Sequence, residues 1–296
     1  MKISRRAVLK GLAAAGAAAS AGRAEARAPR SPPAGAVAML YDATRCIGCR
    51  ACVTRCKEAN DLPYDRSADG LYDQPTDLSG TTKNVIRLAT FGDRTSFSKA
   101  QCMHCVDPAC TSVCMIGALH KDAITGIVAY DKDGCVGCRY CQVACPFNVP
   151  KFTWDRALPQ IVKCELCRHR ADRQRSGALA VANPACCEAC PRAAVVYGTR
   201  AGLLADARRR LAESPERYEP RIYGEEDGGG TQVLYLTARG VPFDRLGLPE
   251  LGREGVPALS ESVQHGIYYG MAAPVVLFAS ALALVARRRG RGDGEA

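Results

Sequence analysis

Cysteine occurs 17 times in these 296 residues, and its spacing is ordered. From Cys135 to Pro146 the chain reads CVGCRYCQVACP, a C-x2-C-x2-C-x3-C-P run. That spacing suits a 4Fe-4S cube. Three thiolates set three residues apart in a tight loop each reach one corner, while the fourth, on the short helix that follows, points away to ligate a neighbouring cluster. One such run therefore implies another, and three more groups are present: Cys46, Cys49, Cys52 and Cys56; Cys102, Cys105, Cys110 and Cys114; and Cys164, Cys167, Cys186 and Cys190, the last split by a long insert. Four groups of four leave one cysteine over.

Zinc sites use two separated pairs per metal rather than three packed cysteines with a fourth beyond, and disulfide scaffolds belong to shorter chains with little core of their own. The spacing thus implies four 4Fe-4S clusters. By the crossing of fourth ligands, Cys102, Cys105 and Cys110 share a cluster with Cys145, and Cys135, Cys138 and Cys141 share one with Cys114. By elimination, Cys46, Cys49 and Cys52 take Cys190, while Cys164, Cys167 and Cys186 take Cys56. Cys186 and Cys187 are adjacent; Cys186 is chosen because it leaves three residues before Cys190, as in the other groups, and Cys187 is then a small buried residue. His104, inside a ligand loop, is expected to hydrogen-bond locally or tune a cluster.

The elements that must carry these loops are short. The expectation is an α+β fold: a duplicated bacterial ferredoxin-like core of short strands and helices, plus one C-terminal transmembrane helix. SPPAGAVAML reads as a lead into the first group, TTKNVIRLATFG as a strand within an insert at 57–101, ITGIVAYDKDG as a hairpin, and PRAAVVYGTR as a strand. AGLLADARRRLAESP reads as an amphipathic helix and YGEEDGGGTQVLYLT as a turn leading into a strand. Gly228, Gly229 and Gly230 could suggest a phosphate loop, but no G-K-S/T follows. The cluster domain is placed at 37–200 and an extension towards membrane or partner at 201–265.

The net charge of +10 sits mainly at the two ends, which sets nucleic acid aside. Residues 1–28 read as a twin-arginine signal, with Arg5 and Arg6 before an Ala-rich stretch. Residues 266–286 carry no charge and would span roughly 31 Å as a helix. Arg287, Arg288, Arg289 and Arg291 follow, so 287–296 would be a cytoplasmic tail. The expected location is the periplasmic face of the bacterial inner membrane, reached after the clusters are built in the cytoplasm. His265, just before the charge-free stretch, is expected to be an ordinary interfacial residue, with contact to a partner's quinone or haem left open.

Four such groups in this order, with QCMHCVDPAC, YDKDGCVGCRYCQVACPFNVPK, KCELC and YGEEDGGGTQVLYLT, resemble the iron-sulfur electron-transfer subunits that accompany molybdenum oxidoreductases and membrane-bound nickel-iron hydrogenases. The resemblance covers about residues 37–286, and its two ends favour the hydrogenase branch. It implies a non-catalytic subunit that relays electrons between the small subunit of a nickel-iron hydrogenase, itself bound to a large subunit, and a multi-helix membrane partner that reacts with quinone. The twin-arginine translocase and membrane lipid are the other implied partners. The alternative is the iron-sulfur subunit of a molybdopterin oxidoreductase, such as a formate dehydrogenase or a polysulfide reductase. Met115 departs from the family's Pro after the ligand Cys. Cys138 stands where some relatives have Trp and a three-iron cluster, which implies 4Fe-4S at all four sites. An enzyme acting through an open cluster position would need a group without its fourth thiolate, and none lacks it.

Overall fold

A computed structural model describes residues 27–64, 76–155, 157–170 and 183–292, with 269–274, 276 and 284–292 described by backbone alone. Of the expected signal, residues 1–26 lie outside the described residues. Two compact units result: Pro29–Pro257, and the N-terminal residues to Ala28 together with Ala258 onwards.

In chain order the elements are β1 (Val37–Asp42), α1 (Ala51–Ala59), β2 (Val85–Phe91), β3 (Arg94–Ala100), α2 (Ala109–Ser112), β4 (Leu119–Lys121), β5 (Val128–Tyr130), α3 (Tyr140–Ala144), β6 (Lys151–Phe152), β7 (Ile161–Val162), α4 (Ala185–Glu188), β8 (Val195–Thr199), α5 (Arg200–Glu213), β9 (Val233–Leu236) and α6 (Ala258–Gly292).

The first unit is layered about β1, whose six residues are all buried. β8 pairs with it antiparallel, Met39 opposite Tyr197, and β9 pairs with it parallel, Met39 opposite Val233. Because side chains alternate along a strand, this sheet serves two cores. Val37, Met39, Tyr41, Val195, Val233 and Tyr235 face the cysteine-containing core. Ala38, Leu40, Leu234 and Leu236 face the opposite way, onto Leu203, Leu204 and Ala207 of α5. Thr199 starts that helix, its hydroxyl accepting the Gly202 N–H at 3.2 Å.

Asp42 fastens the far end of β1. Its carboxylate, 1% exposed, accepts from the Thr44 N–H at 3.0 Å, the Thr44 hydroxyl at 2.6 Å, the Tyr218 hydroxyl at 2.9 Å and Arg210 Nη1 at 3.0 Å. β2 and β3 form a hairpin of seven paired positions turned at Gly92, and β4 pairs with β5 over a small third core containing Leu119, Val128, Phe152 and Ile161.

The second unit corrects one expectation. Among the described residues, no helix is long and apolar enough to cross a membrane. The stretch at 266–286 lies within α6, a helix that starts among Ser260, Glu261, Ser262, Gln264 and His265. Its charge-free run owes much of its length to Ala, Gly, Tyr and Ser, which lack charge without being strongly apolar. Arg27 pairs with Glu261 in this unit.

Candidate metal centres

Each cysteine group is built the same way. In all four C-x2-C turns the residue before the second cysteine has positive φ: Gly48 and Gly137 at 71°, His104 and Leu166 at 49°. Such a turn curls the backbone so that both sulfurs face one side. A glycine takes it freely, whereas His104 and Leu166 hold it against their own Cβ. After the turn comes a short helix, and the third and fourth cysteines stand four residues apart along it. Cys52 and Cys56 are both on α1, Cys110 is on α2 with Cys114 just beyond, Cys141 is on α3 with Cys145 as its cap, and Cys186 is on α4 with Cys190 just beyond. α1 packs on α4, and α2 on α3. Each group therefore delivers its fourth cysteine towards the partner helix's group.

The cysteines gather in four sets. Cys46, Cys49, Cys52 and Cys190 line one cavity with Tyr41 and Ile86. Cys114, Cys135, Cys138 and Cys141 line a second, with Phe152 and Ile161. Cys56, Cys164, Cys167 and Cys186 line a third, with Asn84 and Gln101. The spaces enclose about 340, 310 and 300 Å³, mouths included. Burial pushes the Cys105 thiol up, and repulsion from Cys102, Cys110 and Cys145 around it adds to that.

Burial and mutual repulsion act on most members. Burial pushes Cys52 up to about 12 although Lys99 opposes it, Cys56 up to about 11, and Cys141 up to about 12 with repulsion from Cys114 added. Four thiolates can share such a space only around cationic metal, since each otherwise disfavours the charge of the next.

The donor sets fit a 4Fe-4S cube better than a single ion. Among the described residues, no three His, Cys, Asp or Glu side chains converge tightly enough to hold one metal ion. A tetrahedral zinc site needs sulfurs roughly 3.8 Å apart, from Zn–S bonds near 2.3 Å. A cube places each thiolate on its own iron and spreads the four sulfurs wider. Backbone N–H groups also point at sulfur: Ala194 to Cys190 at 3.2 Å, Leu119 to Cys114 at 3.4 Å and Leu166 to Cys164 at 3.4 Å. The N–H groups of Val149, Phe147 and Asn148 do the same at Cys145. Such bonds favour thiolate and raise the potential of a bound cluster.

His104, fully buried, accepts the Val128 N–H at Nδ1 at 3.0 Å, so its proton sits on Nε2. That buried N–H has no partner among the described atoms and is a donor kept for a group the polypeptide does not supply. Burial, then Lys163 and Lys121, holds the imidazole well below its ordinary pKa and so neutral. Cys187 lines none of the three cavities. It hydrogen-bonds Cys186, which draws the Cys186 thiol down. His265 falls in α6.

Sequence reasoning passed over Lys99, Gln101, Lys121 and Lys163. Lys99 lies on a strand of alternating polar residues, a pattern that reads as a solvated face, yet it is 1% exposed. No spacing rule marks such a residue.

The fold and sites together define a ferredoxin-type iron-sulfur protein of electron transfer. Residues 94–200 match the 4Fe-4S dicluster domain family. The chain is 42% identical over 295 residues to the hydrogenase-2 operon protein HybA of Escherichia coli O157:H7, covering 89% of this chain and 88% of that one. It is 36% identical to the iron-sulfur subunit of the nitrate-inducible formate dehydrogenase of Escherichia coli K12, over 68% of this chain and 67% of that one. With the formate dehydrogenase-O iron-sulfur subunit of the same strain it shares 35% identity, over 80% and 78% respectively. The chain belongs to the HybA family of iron-sulfur proteins.

Proposed function

We propose that the chain is a non-catalytic electron-transfer subunit holding four 4Fe-4S clusters, which relays electrons between the small subunit of a periplasmic nickel-iron hydrogenase and a membrane partner that reacts with quinone. The observation that carries this is the sharing of helices between sets. Cys52 and Cys56, one turn apart on α1, belong to different sets, and the same holds for Cys110 and Cys114, Cys141 and Cys145, and Cys186 and Cys190.

Each bound cluster supplies one-electron exchange, with a potential set by charge, hydrogen bonds to sulfur and exposure. The polypeptide's part is to hold the sets in a row and keep water away. The Cys46 set adjoins the Cys56 set through α1 and α4, and the Cys102 set adjoins the Cys135 set through α2 and α3. Lys163 joins the halves: its ammonium donates to the Val128 carbonyl and, at 3.1 Å, to the Cys164 carbonyl, while its charge acts on Cys110. The two exposed cysteines, Cys49 and Cys138, fall in the two outermost sets, where electrons enter and leave. Every set has four thiols, so no iron position is left open for bond chemistry.

Residues 1–28 direct export of the folded protein through the twin-arginine translocase, and the cluster domain at 37–200 works at the periplasmic face of the inner membrane, held there by its partners. Residues 201–265 extend that domain towards them.

Capture of the full chain from gently solubilised membranes by a tag after Ala296, with metal analysis of what accompanies it, tests the proposal. Nickel, with hydrogen-dependent bleaching of the cluster absorbance, is the expected result. Molybdenum without nickel would transfer the subunit to a molybdopterin oxidoreductase, in line with its formate dehydrogenase relatives. Zinc without acid-labile sulfide would overturn the cluster reading itself.

A further inference from the structure

Three lysines, Lys99, Lys121 and Lys163, sit close to the cysteine sets, and Lys99 has the most telling surroundings. It is the penultimate residue of β3, pairs directly across the hairpin with Ile86, and donates through Nζ to Gln101 Oε1. Ile86 lines the cavity of Cys46, Cys49, Cys52 and Cys190, whereas Gln101 lines that of Cys56, Cys164, Cys167 and Cys186. Lys99 therefore stands between two adjoining sets.

An ammonium at that depth needs a counter-charge, because burying an unpaired ion is costly. Of its three N–H donors, the one with an acceptor among the described residues meets a neutral amide. That amide is fixed in turn: Gln101 Nε2 donates to Met39 Sδ at 2.9 Å, which turns its oxygen to the ammonium. The Tyr235 hydroxyl donates to the Lys99 carbonyl and anchors the strand. No carboxylate among the described residues pairs with Lys99. The negative charges that act on it are those of cysteines from both sets.

We infer that Lys99 sets the potentials of two clusters at once, those of the Cys46 and Cys56 sets, its buried charge favouring the reduced state of both. The inference rests on the cluster reading above. A set of four thiolates around a cube is net negative, and reduction adds one electron with no bond or proton moving. A fixed cation in a medium of low dielectric offsets that added charge. One lysine placed between two clusters keeps their potentials matched, so that transfer between them stays close to level. Electrostatics agree with the geometry. Burial alone would lower the Lys99 ammonium, but Cys186, Cys52, Cys164 and Cys56, drawn from both sets, outweigh it and hold its pKa above the ordinary lysine value.

The test is a redox titration of the purified full chain followed by EPR, with iron and sulfide counted first. Cys49→Ser and Cys138→Ser identify the signals of the two outer clusters. In Lys99→Met, the two clusters of the Cys46 and Cys56 sets should need a more negative potential. At a fixed potential their oxidised-to-reduced ratio should rise tenfold or more, about 59 mV for one electron. The clusters of the Cys102 and Cys135 sets should hold their potentials, and Lys99→Arg should restore the original values. Should Lys99→Met fail to load iron, Gln101→Glu keeps the lysine and cancels its field, and the same pair should move in the same direction. Four unmoved potentials, or an equal shift of all four, in a chain with its full iron and sulfide would overturn the role of Lys99 and leave the cluster reading standing. A wild-type chain without sulfide would sink that reading instead.

Discussion

Removing the Cys145 thiol separates sequence neighbourhood from spatial neighbourhood. Cys145 closes the run that starts at Cys135, and adjacency alone would assign it to the Cys135 cluster. In the fold it sits instead among Cys102, Cys105 and Cys110: burial raises its thiol, Cys102 adds repulsion, and it contributes in turn to the raised thiols of Cys105 and Cys110. Cys114 takes the fourth place beside Cys135, Cys138 and Cys141.

Cys145→Ala leaves the Cys102 set with three thiols and three backbone N–H groups, from Val149, Phe147 and Asn148, aimed at a sulfur that is gone. With the four cubes proposed above, one is at stake, so iron and sulfide should each fall by about a quarter, roughly four atoms per chain. EPR of the dithionite-reduced protein should lose a different signal from the one lost in Cys138→Ser. Loss of the same signal in both variants would refute the crossing of ligands between α2 and α3, whatever the iron count. Loss of half the iron would show instead that the two clusters of this half stand or fall together.

Three further outcomes follow from local geometry. Gly48 and Gly137 share a φ of 71°, but a Cβ on Gly48 would lie 2.4 Å from Phe97 Cε1, whereas one on Gly137 would lie 3.0 Å from Pro159. Alanine should cost each about 1–2 kcal/mol in backbone conformation. Overpacking adds about 1–3 kcal/mol more at Gly48, so Gly48→Ala should lose its cluster sooner on warming, read as earlier bleaching of the visible absorbance. Asp42→Ala leaves Arg210 with Asp206 alone and the buried Tyr218 hydroxyl without its acceptor, and should cost about 1–3 kcal/mol. A loss below 1 kcal/mol in chemical denaturation would show that the β1 end is not held this way. Cys187→Ala should retain all the iron while Cys186→Ala loses one cluster's worth; the reverse pattern would exchange the two residues.

Much of this molecule is legible because cluster chemistry constrains spacing so tightly. The four groups, the twin-glycine turns in CIGC and CVGC, the strand now seen as β8 and the helix α5 can all be read from residue types. Other parts escape for physical reasons. AVAML reads as a lead into the first group, yet it is the buried centre of a sheet, because its partners β8 and β9 are far away in sequence. RTSFSKA is polar enough to read as a solvated strand, but as β3 it buries Ser96, Ser98 and Lys99. His104 and Leu166 take positive φ without a glycine to announce it. The anchor expected at 266–286 rested on absence of charge, and absence of charge is a weaker property than apolarity.

The repeated four-residue step between third and fourth cysteine explains why a ferredoxin-like chain can be lengthened without redesign. One helical turn of roughly 6 Å separates two thiols that serve different cubes. The distance between paired clusters is therefore fixed by helix geometry and not by the loops. Insertions can then enter elsewhere at little cost: the β2–β3 hairpin lies between the first and second groups, and the long insert of the fourth group lies between Cys167 and Cys186. Neither interrupts a helix that carries a shared pair. The sheet of β8, β1 and β9 draws its strands from residues 195–199, 37–42 and 233–236, so it ties the Cys46 and Cys56 sets together across more than 140 residues of sequence separation, from Cys46 to Cys190. The Cys102 and Cys135 sets, built between Cys102 and Cys145, need only the short β4–β5 hairpin. Asp42 and Lys99 matter in this scheme for the same reason: each holds a contact between segments remote in sequence, where helix geometry gives no help.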